Sequence, residues 1–247
     1  MSGLILPTQP IPAVSTNPKF LILYGRPKAG KTSALAQLSS NLIIDLEGGS
    51  QFIDAMAVQA RSVKDLGEIA QAIRAKNSEA GHNFYRRITI DNATRLEEMC
   101  LSYAKILYCQ TPMGKNYKGD DVRTLPKGSG YMYLRQAVRK VLDMFKGLCD
   151  EFILIGHVKD VQIEQNGEEL SQMALDLVGK LGKILCGLAD AVGYVYRKGN
   201  ETHISFVGGA DDTIMEARAK HIANKDIIIA TGDDDGNITT YWDKIYK

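Results

Sequence analysis

The stretch KFLILYGRPKAGKT, from Lys19 to Thr32, joins a continuous apolar run to a loop bounded by glycines and then to a helical pattern over Thr32–Ser39. A short run that is apolar throughout, rather than at every second residue, suits a strand buried on both faces. The loop, Gly25 to Thr32, matches G-x-x-x-x-G-K-[ST], and it lies between a strand and a helix as that motif requires. Gly25 and Gly30 let the backbone curl so that its N–H groups converge on phosphate oxygens. The helix start adds the positive end of its dipole. Gly25, Arg26, Pro27, Lys28, Ala29, Gly30, Lys31, Thr32 and Ser33 are therefore expected to wrap a nucleotide's phosphates. Lys31 would reach the β- and γ-phosphates, and the Thr32 hydroxyl would hold Mg²⁺.

Outward from this loop the pattern repeats. NLIIDLE (Asn41–Glu47), RRITID (Arg86–Asp91), EFILIGH (Glu151–His157) and DAVGYVYR (Asp190–Arg197) are further apolar runs. Helical patterns over Val63–Lys76, Thr94–Tyr108 and Tyr133–Leu148 separate them. Such alternation implies an α/β fold, a mostly parallel sheet flanked by helices. ETHISFVGG, DTIMEARAK, DIIIATG and NITTYW then read as shorter strands with turns such as Asp235-Gly236, an antiparallel C-terminal extension of the same sheet. Between Val158 and Lys183, Asn166-Gly167 suggests a hairpin and LDLVGKLGKIL a helix. Pro7, Pro10, Pro12 and Pro18 make residues 1–18 an extended arm, which leaves 19–247 as one α/β domain.

Three strand ends carry groups suited to phosphoryl chemistry. Asp91 closes an apolar strand, expected beside the phosphate-loop strand, and would bind Mg²⁺; the competing role is to cap the next helix, alongside Asn92 or Thr94. Glu47 could orient or deprotonate the water that attacks the γ-phosphate. Asp45, flanked by apolar residues, is the weaker candidate. His157, read as a strand end, could sense the γ-phosphate, or be an ordinary hydrogen-bonded histidine.

Composition narrows the class. Of 247 residues, 45% are apolar and 24% charged, as in soluble globular proteins. Cys100, Cys109, Cys149 and Cys186 form no C-x-x-C pair, which fits a reducing cytoplasm. No run has the length of a membrane span. The formal charge of +1 leaves no overall polyelectrolyte character, yet Met113–Lys146 carries eight basic residues and three acidic ones. The bases are Lys115, Lys118, Arg123, Lys127, Arg135, Arg139, Lys140 and Lys146, with Tyr117, Tyr131 and Tyr133 among them. Cations beside stacking rings on a glycine-containing loop suit single-stranded nucleic acid; a solvated helix face and surface loop is the bland alternative. Lys115, Lys118, Arg123, Lys127, Tyr131 and Arg135 are the expected DNA contacts.

GRPKAGKT, IIDLE, ITID and ILIGH together resemble the RecA-type ATPase core. IDLEGG, Asp91-Asn92, G-S-G-Y-x-x-L-R, L-x-G-K-L, A-D-x-V-G-Y and R-A-K-H-I resemble, more narrowly, the phage RecA-like single-strand annealing ATPases of the Sak-four group, also described as phage nucleotide-binding proteins. The likeness runs from about Lys19 to Ile229. It implies an ATP- and Mg²⁺-dependent ATPase acting on single-stranded DNA in phage recombination or annealing, in the host cytoplasm. It also implies a homo-oligomeric ring or filament and a partner single-strand-binding protein. Arg218 and Lys220, on one face if DTIMEARAK is a strand, would enter a neighbour's ATP site; Arg197 and Lys198 compete for that role. A helicase or helicase loader shares the core, an annealing module could hold ATP as a structural ligand, and a small-molecule P-loop kinase fits I-D-L-E less well.

Overall fold

The structure is a computed structural model describing residues 8–9, 15–165, 168–208, 215–233 and 235–247. In chain order the elements are β1 (Phe20–Gly25), α1 (Lys31–Ala36), β2 (Asn41–Asp45), β3 (Ala57–Gln59), α2 (Val63–Ala80), β4 (Arg87–Asp91), α3 (Ala93–Cys109), α4 (Gly130–Lys146), β5 (Glu151–Gln165), β6 (Glu168–Leu175), α5 (Leu181–Leu188), β7 (Ala191–Lys198), β8 (Glu201–Ser205), β9 (Glu216–Ala217), β10 (Asp226–Gly232) and β11 (Ile238–Thr240). The sheet runs β11-β10-β8-β7-β1-β5-β4-β2-β3, with β6 on β5 and β9 on β7. From β3 to β7 the pairings on this path are parallel; β8, β10 and β11 add antiparallel strands. This is the mixed α/β arrangement of a P-loop NTPase.

The continuous apolar runs have a direct cause. Successive strand residues point to opposite faces, and both faces are covered. Phe20, Ile22 and Tyr24 pack into a core with residues of α2, α3, α4 and α5. Leu21 and Leu23 pack into the other core, with Ala34 and Leu35 of α1 and with Trp242, Ile245 and Tyr246. Six residues of helix are too few to persist alone. Tertiary contact holds α1: the Trp242 indole N–H donates to the Ala34 carbonyl (2.8 Å).

Several expectations change. The strand ending in Asp91 is not beside β1, because β5 lies between β1 and β4. His157 is not a strand end. It pairs with Gly25 at the sheet edge, and β5 continues to Gln165 because β6 keeps pairing with it beyond that edge. Asn166-Gly167, the expected hairpin turn, lies outside the described residues. The helical pattern after the hairpin begins only at Leu181, preceded by a turn. Of DTIMEARAK, Glu216 and Ala217 are the ones that pair among the described residues, and residues 218–224 form bends and turns; Asp212 to Ile214 lie outside the described residues. Arg218 and Lys220 thus share no strand face. NITTYW contributes Ile238–Thr240, and Trp242 enters a 3-10 turn.

Candidate nucleotide site

Parallel register brings the carboxyl ends of β1, β5, β4 and β2 to one edge, which places Gly25 beside His157 and Asp45 beside Asp91. Ligands of open α/β sheets bind at this edge. The loop between β1 and α1 curls over it through positive φ at Lys28 (62°) and Gly30 (85°). A cleft of about 500 Å³ follows, lined by Pro27 to Ser33, Asp45, Glu47, Asp91, His157 and Arg197, with Phe52 at its rim. A larger hollow of about 630 Å³ between α2 and α3 contains the pairs Arg95–Glu98 and Lys105–Asp120 and none of the phosphate loop, so it is not the better candidate.

Lys31 is buried, only 7% exposed. Its Nζ donates to the carbonyls of Gly25 (3.0 Å) and Arg26 (2.8 Å). Burial holds its pKa below the usual lysine value, and the nearby Asp91 and Glu47 carboxylates pull it back up. The Thr32 hydroxyl donates to Asp91 Oδ2 (2.6 Å). Burial pushes the Asp91 carboxyl up, the Thr32 bond lowers it, and the Asp45 and Glu47 charges raise it further. A cation placed there would relieve that cost. Thr32 Oγ1 and Asp91 are hard oxygen donors, and two of them suit a magnesium ion whose other ligands are water and phosphate oxygens. Among the described residues, no group of three or more His, Cys, Asp or Glu forms a metal cage.

Asp91 is free for this because Asn92 caps α3. Asn92 Oδ1 accepts from Arg95 N (3.0 Å), which fixes its amide so that Nδ2 faces His157 Nε2 (2.9 Å). His157 Nε2 also lies 3.7 Å from Glu47 Oε1. Glu47 itself is about half exposed in the cleft mouth.

Asp45, two residues earlier, does something else. It accepts from the backbone N–H of Glu47 (2.9 Å), Gly48 (2.7 Å) and Ser50 (2.8 Å), and from the Ser50 hydroxyl. Burial would raise its pKa, but these bonds outweigh burial and hold the carboxyl below the usual range. Asp45 fastens the loop that presents Glu47. The apolar flanks of Asp45 set it behind Glu47 as a base, but its bonding to the Ser50 loop was not read from the sequence.

The remaining expected residues fall elsewhere. Lys115, Lys118 and Lys127 are exposed and make no ion pair among the described residues. Arg123 is chelated by Asp121, with Nε and Nη2 2.6–3.0 Å from its carboxylate, so it is not a free cation. Tyr117 and Tyr133, both half-buried, pack on Tyr108 against the core. Tyr131 is half-buried. Arg135 lines a groove with Arg139 and Lys140. Lys159 is taken up by the Leu177 carbonyl and Asp176; Lys180 and Lys183 are exposed. Arg218 bonds the Gly187 carbonyl (3.2 Å) and Asp190 (3.5 Å), and Asp190 in turn caps the first residues of β1. It therefore stands at the opposite end of the sheet from its own phosphate loop, not at the carboxyl edge that an outer strand was expected to reach.

Of the cations expected to reach into a neighbour's site, Arg197, placed behind Arg218, lines the cleft of its own chain. That β7 neighbours β1 was not written in either strand. No helix among the described residues is long and apolar enough to cross a membrane. A search among curated proteins finds no match. A family model for an AAA domain matches residues 17–226, a span that includes every cleft residue named above, and the chain accordingly belongs to the AAA domain family, with a nucleotide-binding domain of the P-loop ATPase type.

Proposed function

We propose that the protein hydrolyses ATP with Mg²⁺ and couples this to single-stranded DNA in phage recombination or strand annealing. The observation that carries the ATPase part is the Thr32–Asp91 contact at 2.6 Å beside the buried Lys31, with Glu47 in the same cleft. Thr32 and Asp91 would hold magnesium, which neutralises charge on the β- and γ-phosphate oxygens. Lys31 exchanges its two carbonyl partners for phosphate oxygens. Glu47 takes a proton from water as the water oxygen bonds the γ-phosphorus and the bond to the bridging oxygen breaks, giving ADP and phosphate. His157, held by Asn92 and close to Glu47, is placed to feel that loss.

The DNA part rests on the exposed Lys115, Lys118 and Lys127 and on the cations of the Arg135 groove, which suit phosphate contacts that carry no sequence information. Assembly fits the placement of Arg218. Standing at the far edge, Arg218 could meet only another subunit's cleft, in a head-to-tail ring or filament, with Lys220 two residues on. The decisive experiment is ATP turnover with and without single-stranded DNA. Stimulation is the expected result; turnover indifferent to DNA removes the DNA half of the proposal, and absence of turnover removes the enzyme. Mixing inactive Glu47→Gln with Arg218→Ala/Lys220→Ala subunits restores partial turnover if Arg218 and Lys220 act between subunits. Mixed oligomers that remain inactive would rule that out.

A further inference from the structure

The phosphate cleft has two unlike ends. Asp45, Glu47 and Asp91 give one end its carboxylates, whereas Arg197 gives the other a guanidinium. Arg197 also borders a narrow recess of about 60 Å³ just beyond, which shares Gly30 and Ser33 with the cleft. The sheet explains why it is there. β7 runs parallel to β1 with Val195 opposite Gly25, so close that a Cβ on Gly25 would meet the Val195 carbonyl oxygen at 2.2 Å. Arg197 is two residues further along, and so on the same face as Val195, which packs in the α1 core. Across β7 and β8 it pairs with Thr202, whose Oγ1 lies 3.0 Å from where a Cβ on Gly30 would stand. The register thus sets Arg197 against the flank of the phosphate loop where α1 begins. Its side chain is exposed and makes no ion pair among the described residues, unlike Arg123 and Arg218.

A polyphosphate in this loop has a defined direction. Its terminal phosphate belongs at the Thr32–Asp91 and Glu47 end, where the cation donors and the base are. Its inner phosphates then lie toward α1 and Arg197. We propose that Arg197 binds the α- and β-phosphates of the nucleotide held by its own chain, a positioning contact made in cis, distinct from any residue supplied by a neighbour. An unpaired guanidinium suits this: it offers paired N–H donors to two phosphate oxygens, which an ammonium cannot match in geometry. The inference rests on the ATP-binding reading above.

The test is the affinity of ADP and of ATP, read by fluorescent analogues or calorimetry, for wild type, Arg197→Ala, Arg197→Lys and Lys31→Ala over a range of protein concentrations. Because Arg197 is exposed and makes no ion pair among the described residues, its loss should leave thermal unfolding unchanged. Arg197→Ala should weaken ADP and ATP by the same factor, about tenfold, at every protein concentration, and Arg197→Lys should recover part of the loss. An unchanged affinity would overturn the proposal. So would a loss confined to ATP and to concentrations at which the protein assembles, which would make Arg197 a residue acting on a neighbour's terminal phosphate. If the ATP-binding reading itself fails, wild type and Lys31→Ala will be equally unable to bind either nucleotide, a pattern distinct from both.

Discussion

At the phosphate loop, Lys31 is buried with its ammonium held between the Gly25 and Arg26 carbonyls, whereas Lys115, Lys118 and Lys127 stand in water with no ion pair among the described residues. The first arrangement has already met the cost of desolvating a charge and ordering a long side chain. A ligand then replaces partners that are in position. The second leaves those costs to the moment of binding. One lysine should therefore act with a large, geometry-dependent effect, and the others with small effects that add and that salt erodes.

The contrast is broken most severely by Lys31→Ala. Nucleotide binding should fall below detection by calorimetry in a folded protein, because Lys31 supplies the buried ammonium held at the curl of the loop. Undiminished ATP affinity would remove the loop from the site. Next is Glu47→Gln. Turnover should drop by about 10²-fold or more while ATP still binds, the scale of a general base. If Asp45→Asn instead lowers turnover with the Glu47 loop intact by spectroscopy, the two carboxylates have exchanged roles.

The exposed cations come third. Neutralising Lys115, Lys118 and Lys127 together should weaken single-stranded DNA by about tenfold and flatten the log–log salt dependence by about 2, since each phosphate contact contributes about 0.7 to that slope. Arg123→Gln alone should change little, because its charge is already spent on Asp121. An unaltered slope in the triple variant would move the DNA surface elsewhere, first to the Arg135, Arg139 and Lys140 groove.

The smallest effect is on stability and has a defined sign in pH. The Asp45 pKa is depressed in the fold, so its contribution is present above the unfolded carboxylate value near 4 and is lost as pH falls through the folded one. Asp45→Asn should cost about 1–2 kcal/mol at neutral pH, and wild type and variant should converge below about pH 4 in denaturant titrations. Asp91, with its pKa raised by burial, works in the opposite direction and favours the fold less as pH rises through its folded value.

The strand–loop–helix at Lys19–Thr32 was legible because each of its residues has a local reason to be there: apolar on both faces, glycine at the curl, lysine and threonine at the helix start. The ends of β4 and β2 were legible on similar grounds. Strand order was not. That β5 separates β4 from β1, and that β7 brings Arg197 to the loop, depends on which faces pack together over the whole chain, and no local pattern records it. The basic segment misled for a related reason. Charge and aromatic content near Tyr117 and Arg123 look alike whether the ring and the cation face water or are consumed by Tyr108 and Asp121. The turn at 218–224 hid behind residues that read as strand but lack a neighbour to pair with beyond Ala217.

Trp242 is the chain's single tryptophan, and its indole is bonded to the helix that begins with Lys31 and Thr32. The protein therefore carries its own optical label on the machinery of the cleft. Light emitted by that ring comes from the back of α1, from within the apolar layer, without any fluorophore having been attached. A shift in emission on adding nucleotide would report whether α1 moves as the loop fills, and a constant spectrum would mean that the loop closes over a helix that stays still.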